Sequence, residues 1–265
     1  MAKFVAAVVT DIHYGFDIKD KLGSKAPKLV DHFLKAVDKI KPAFIVDMGD
    51  RVSAKSKEDD RHYMKELKKQ FNKAAAPVYS LMGNHDVRFL SRKENEDIMG
   101  CSAQNHSLDK GNYHFVFWNP TYNVSENGIE FSKSDLEWLK KDLDKAQGKP
   151  SILFSHVPLD NLGGEEVSDV TKYFFWTHGK KVRKVMEDAG NVILCMSGHR
   201  HRNRHREING IHYVTQQSLV SMWKEHYRIP SRSYSFLELD NDKIKIELKG
   251  KTEKTYELTP KAVIS

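Results

Sequence analysis

Two cysteines in 265 residues, Cys101 and Cys195, leave no material for a disulfide framework or a thiolate metal site. A reducing compartment is the expectation. Long apolar runs are also missing: FVAAVV, residues 4 to 9, is too short for a membrane span or the core of a secretory signal, and Thr10 and Asp11 stop it. A cytoplasmic protein without membrane contact is therefore expected. No linker rich in proline or glycine, no internal repeat and no low-complexity tract divides the chain, so residues 1–265 are read as one domain.

What is present suits a large core, with 39% apolar and 10% aromatic residues. Lys and Arg number 43 against 36 Asp and Glu, and the resulting charge of +7 is a modest excess that favours anionic ligands without identifying one. Short apolar runs at 4–10, 44–48, 78–82, 114–118, 152–154 and 192–196 read as buried strands. Between them, 28–40, 60–71, 132–143 and 178–190 carry apolar residues at three and four spacing, and Gly190 ends the last. Strand followed by helix, repeated, predicts an α/β sheet. After residue 211 only strands remain, at 211–217, 233–239 and 243–249, with DNDK as a hairpin turn between the last two. They are expected to complete a second sheet.

Chemistry clusters where the strands end. Asp11 and His13 follow the first, Gly49 and Asp50 the second, and Gly83, Asn84, His85 and Asp86 the third. His156 follows the fifth, and Gly198, His199 and His201 the sixth. The carboxyl edge of an open α/β sheet is where ligands bind, so residues distant in sequence converge there. Asp11 and His13, like His199 and His201, are two apart, and in extended chain such residues face the same side. The three glycines suit a chain that leaves a strand with backbone angles only glycine adopts cheaply. A single D-x-H or G-D is commonly an ordinary turn. Five such signals in order, each at a strand end, are not.

The set D-x-H, G-D, G-N-H-D, S-H and G-H-x-H resembles the calcineurin-like metallophosphoesterase family over residues 4 to about 219. The resemblance implies a two-sheet αββα sandwich with a dinuclear metal site on loops at the carboxyl edge of the strands. It implies that Asp11, His13 and His201 hold one metal, that Asn84, His156 and His199 hold the other, and that Asp50 bridges them. It also implies that His85 assists the leaving oxygen while a metal-bridging hydroxide attacks phosphorus. Nitrogen and oxygen donors without thiolate suit two divalent ions drawn from Mn, Fe, Zn or Ni. Such a centre attracts phosphate and activates water at neutral pH. One departure stands out. Family members often continue G-D as G-D-x-x-D, the later aspartate orienting the histidine, whereas this chain has Ser53 there; either Asp86 or another group supports His85, or that histidine works less as a polarised acid and more as a hydrogen-bond donor to phosphate.

Three residues are candidates for substrate contact: Arg51 beside the bridging aspartate, Arg200 between the two ligand histidines, and Tyr14 beside the D-x-H motif. The alternative for Arg51 is a salt bridge, and for Arg200 a solvated or ion-paired side chain. Arg202, Arg204 and Arg206 read as surface. Residues 159–178 combine a polar stretch with four aromatics before a helix, which fits either a substrate rim or core contacts. The reading is a metal-dependent phosphoesterase acting on small-molecule phosphodiesters or nucleotides. The alternatives are a nuclease or phosphomonoesterase of the same family, or a protein-interaction scaffold. A homo-oligomer is left open.

Overall fold

Phe4–Val9 contains no polar residue, so a strand made of it has no face to offer water and has to be covered from both sides. The computed structural model describes residues 3–53, 55–160, 173–222, 229–240 and 243–260. In chain order it begins with β1 (Phe4–Val9), α1 (Ala26–Ile40), β2 (Phe44–Asp47), α2 (Lys57–Phe71) and β3 (Val78–Ser80). There follow α3 (Asp86–Phe89), α4 (Arg92–Met99), β4 (His106–Lys110), β5 (Tyr113–Phe117), α5 (Lys133–Lys145) and β6 (Ser151–Ser155). The remainder is α6 (Gly179–Ala189), β7 (Val192–Ser197), β8 (Arg204–Ile208), β9 (Ile211–Thr215), β10 (Tyr234–Asp240), β11 (Lys243–Lys249) and β12 (Lys254–Leu258).

Two six-stranded sheets result, ordered β12-β11-β10-β1-β2-β3 and β8-β9-β7-β6-β5-β4. In the first, β1, β2 and β3 are parallel and β10 joins β1 antiparallel. In the second, β5, β6, β7 and β9 are parallel, with β4 and β8 as antiparallel edges. Alternation along β1 divides the layers. Ala6 and Val8 meet Phe115, Phe154 and Met196 of the other sheet, while Ala7 and Val9 face Val30 and Phe33 of α1. On the far side, Leu153 and Cys195 face Leu139 of α5 and Val182 of α6. The architecture is the expected helix, sheet, sheet, helix sandwich.

Two expectations need correction. Of the C-terminal strands only β9 enters the second sheet; β10 and β11 extend the first through β1, and β12 is a further strand on that edge. Period-two alternation says which face of a strand is buried but not which sheet receives it. The arginine-rich stretch is also structured, because Arg204–Ile208 is the edge strand β8. The Gly190 stop does end α6, in left-handed backbone at φ 71°. Among the described residues, no helix is long and apolar enough to cross a membrane.

Candidate metal centre

The loops leaving β1, β2, β3, β6 and β7 meet at one edge, tied by backbone hydrogen bonds. Asp11 N donates to Gly49 O at 2.9 Å, His13 N to Asp50 O at 2.9 Å, and Gly198 N to His156 O at 2.9 Å. The pairs D-x-H and H-x-H do converge, but not as extended chain. Asp11 (φ 52°), His13 (φ 43°), Asp50 (φ 55°), His199 (φ 66°) and His201 (φ 52°) all lie in the left-handed region. Each such residue costs on the order of 1–3 kcal/mol, and that strain gathers where side chains must be aimed. The glycines divide by reason. Gly49 is left-handed at φ 96° and also lies against the backbone of Met82 and Gly83, whereas Gly83 and Gly198 are fixed by contact alone: a Cβ on Gly83 would strike Asp50 and one on Gly198 would strike Thr10 and Asp11.

Three overlapping donor sets share this edge, one of them His13, Asp50 and His85; the other two have separate histidines. Asp11, His13 and His201 form one and Asp50, His156 and His199 another, the ligand atoms of each lying within 4.8 Å of one another. Asp50 stands between them, with Oδ2 3.7 Å from His13 Nε2 and 3.4 Å from His156 Nε2. Asp11 is oriented by its neighbours: Oδ2 accepts from Thr10 Oγ1 at 2.6 Å and His199 N at 2.9 Å, which leaves Oδ1 facing His201 Nε2 at 3.1 Å. His156 Nδ1 donates to Met48 O at 2.8 Å, and His199 Nε2 to Tyr173 O at 2.6 Å. Each imidazole thus keeps one nitrogen for the cluster, the usual way a ligand ring is fixed. Within the protein His156 Nε2 and Asn84 Oδ1 are buried with no hydrogen-bond partner. Buried polar atoms are rarely left so. The donor set therefore fits two divalent cations of the borderline kind.

Burial alone would raise both carboxyls. The surrounding imidazoles overcome it, His201 at Asp11 and His156 at Asp50, and hold both groups well below the usual carboxylate range. Burial opposes charge on His156, yet the Asp50 carboxylate lifts it to about 9; at His199 burial, reinforced by His156, prevails and lowers it to about 3.

His85 has an unexpected setting. Ser53 Oγ lies 3.3 Å from its Nδ1 and Lys21 Nζ 3.1 Å from its Nε2. Burial, with Lys21 adding to it against the pull of Asp50, lowers His85 to about 4. Asp86 is not its support, because that carboxylate accepts from the backbone N–H groups of Asp50, Arg51 and Gly83, each at 2.8 Å. Lys21 was invisible to motif reasoning. It sits in no recognisable spacing, and only a hairpin pairing Asp17–Ile18 with Lys21–Leu22 brings it over the site.

A family model described as calcineurin-like phosphoesterase matches residues 4–203. The chain belongs to the calcineurin-like phosphoesterases. A manganese-dependent ADP-ribose/CDP-alcohol diphosphatase of Xenopus tropicalis is 20% identical over 285 residues, covering 82% of this chain and 80% of its own. The crystal structure of a dimetal phosphatase from Danio rerio superposes with a TM-score of 0.80 at 14% identity, covering 97% and 99% of the two chains. GAP50, the anchor in the inner membrane complex of Plasmodium, gives a TM-score of 0.62 at 16% identity, covering 99% and 90%. These similarities to solved structures establish the fold, and the chemistry of this phosphoesterase rests on its own side chains.

The expected substrate contacts fare differently. Arg51 is wholly buried and its guanidinium donates to Asp47 Oδ2 at 3.0 Å and lies 3.5 Å from Asp86 Oδ2, so the phosphate role is withdrawn in favour of the ion pair. Arg200 is also buried, its guanidinium 4.1 Å from the Phe174 ring centre and 4.7 Å from that of Phe175. It is not solvated. Tyr14 is half-buried with its ring centre 4.7 Å from that of Tyr63. Arg204 and Arg206 are not free surface charges, since Asp160 Oδ2 lies 3.4 and 3.9 Å from their Nε atoms. Phe175 and Trp176 are buried, Trp176 in the core under α5 and α6, which decides for core contacts at those two positions. The polar part of the proposed rim, 161–172, lies outside the described residues.

Proposed function

We propose that this phosphoesterase hydrolyses phosphodiester bonds in small, nucleotide-like molecules and uses two divalent cations, manganese among them. Asp11, His13 and His201 would hold one cation, Asn84, His156 and His199 the other, and Asp50 both. The observation that carries the reading is the placement of Asp50 between two buried donor sets, 3.7 Å from His13 and 3.4 Å from His156. The name of the Xenopus relative supports manganese and a nucleotide-like substrate.

When bound, the cations neutralise phosphoryl oxygens and make water a competent nucleophile near neutral pH. The remaining work belongs to the chain. The Asn84 amide, whose Oδ1 would face a cation, keeps two N–H groups to offer a phosphoryl oxygen. His85 occupies the flank toward Lys21, on the leaving-group side; while its Nε2 accepts from the Lys21 ammonium it has no N–H for the leaving oxygen, and it can supply that hydrogen bond only once the ammonium turns to an arriving anion. Its amide N–H donates to Asp50 Oδ1 at 2.8 Å, so the carboxylate and the imidazole are placed by one turn. Ser53 fixes the ring through Nδ1, where the resemblance would have had an aspartate.

The test is a panel of phosphomonoesters, phosphodiesters, nucleoside diphosphate esters and DNA, assayed with Mn, Fe, Ni and Zn. Turnover of small diesters or diphosphate esters that needs added metal and outpaces both monoesters and DNA is the expected result. Preference for a monoester, or a DNase activity falling steeply with salt, would overturn it.

A further inference from the structure

Lys21 extends from its hairpin into the cation site, and the hairpin is anchored on both sides. Asp17 accepts from Ser24 N at 2.9 Å and Ser24 Oγ at 3.1 Å, and Asp20 accepts from Ser221 Oγ. An ammonium has three protons to place. Among the described residues only His85 Nε2, 3.1 Å away, takes one, and no carboxylate forms an ion pair with Lys21. Asp50, Asp11 and Asp20 attract it from farther off. Two of those three are carboxylates of the proposed cation site, where they are committed to other positive charge. A half-buried cation whose partners are taken is costly unless an anion arrives with the ligand.

A second cation lies on the same flank. Arg88, one turn beyond His85 on α3, is exposed and forms no ion pair among the described residues. A negative group arriving beside Lys21 is favoured further by a second positive charge on the turn that carries His85.

We propose that Lys21, with Arg88 outside it, forms a subsite for a second phosphoryl group on the leaving-group side of His85, making small-molecule diphosphates the preferred substrates over simple diesters. This rests on the phosphodiesterase reading above and narrows it. In the step implied, the oxygen of water bonds to one phosphorus. The bridging P–O bond breaks with its electron pair on the departing phosphate, and the two protons of water go to the product monoesters or to solvent. The departing group gains negative charge beside Lys21 and Arg88, where an alkoxide leaving from a simple diester would bring no phosphate to either.

Binding tests the subsite without turnover. Isothermal titration of the manganese-loaded protein with methylenediphosphonate, which cannot be hydrolysed at its bridge, is compared with inorganic phosphate. Lys21→Met should weaken methylenediphosphonate about tenfold or more and phosphate by no more than about threefold, the size of one lost charge-assisted hydrogen bond against a diffuse charge effect. Lys21→Arg should recover part of the difference, and Arg88→Ala, at an exposed position, should shift it in the same direction by less. In turnover, Lys21→Met should lower the ratio of kcat/KM for a diphosphate ester to that for bis(p-nitrophenyl) phosphate. Equal weakening of both anions, or none, overturns the subsite. If the wild type discriminates the anions through Lys21 yet hydrolyses no ester with any metal, the functional reading fails and the subsite stands. If diesters are hydrolysed but Lys21→Met leaves anion selectivity unaltered, only the subsite falls.

Discussion

A carboxylate held at φ 55° against its steric preference is there because of where its oxygens point, and at Asp50 both oxygens are used. Oδ1 takes the His85 amide and Oδ2 stands between His13 and His156. Removing that group should therefore affect both donor sets, whereas His201 belongs to one. We predict that Asp50→Ala purifies with almost no bound metal and His201→Ala with about half the wild-type content, measured by elemental analysis after dialysis, because one carboxylate is all that screens the two cations from each other. Two tightly held ions in Asp50→Ala would refute the bridging role. The residues that a sequence reveals at this scale are those whose type and position repeat a pattern: each of the seven ligand candidates follows a strand. Arg51 was misjudged for the opposite reason. Its partner Asp47 is only four residues away, but nothing local says that both are buried, and an arginine beside a metal ligand reads equally well as a phosphate contact. Lys21 had no pattern at all, since its hairpin and His85 are joined only by the fold.

At the scale of elements, strands and helices with a continuous apolar stripe were legible, the edge strand β3 among them, and the polar edge strands β4, β8 and β12 were not. β4 reads HSLDK and β8 reads RHREI, with partly exposed and polar positions that carry no buried face to detect. They exist because a neighbour offers a ladder of hydrogen bonds, which is tertiary information. One cross-element tie gives β4 its place: His114 of β5 bonds through Nδ1 to Asp109 of β4 at 2.7 Å and through Nε2 to Asp142 of α5 at 3.0 Å. Burial disfavours charge on His114, but Asp142 and Asp109 prevail and raise its pKa above 6.5. A folded value above the unfolded one means the charged ring contributes stability in full below about pH 6.5, and that contribution fades as pH rises through the folded value. His114→Gln should therefore lower stability by about 1 kcal/mol at pH 5.5, discounted for the exposed Asp109 side, and by clearly less at pH 9. Urea denaturation at the two pH values measures it. An equal loss at both would show that the ring acts by packing alone.

For the whole molecule, the two sheets share one core, and at one end of it the strands deliver charged and polar groups where apolar ones would be cheaper. Asp11, His13, Asp50, His156 and His201 are all buried there, and five left-handed residues add backbone strain. This end is a weak point of the fold unless something binds it. A ligand that binds only the folded state adds RT ln(1 + [L]/Kd), about 2.7 kcal/mol at a hundredfold excess over Kd. For a chain of this length, about 1 kcal/mol moves Tm by roughly 2–4 °C. Manganese at that excess should thus raise Tm by roughly 5–10 °C over the chelator-treated protein. The gain should continue to rise with the logarithm of concentration, as a bound ligand requires and a general salt effect does not. Calcium at equal ionic strength should do less, since it prefers six to eight oxygen donors and the cluster is dominated by imidazole. In Asp50→Ala the manganese shift should largely vanish even if the apo protein is no less stable, because a buried charge has gone along with the bridge. Scanning calorimetry across a manganese series separates the cases: a wild-type Tm that does not respond would mean the donor cluster holds no metal, and an unchanged response in Asp50→Ala would mean the cation is bound elsewhere.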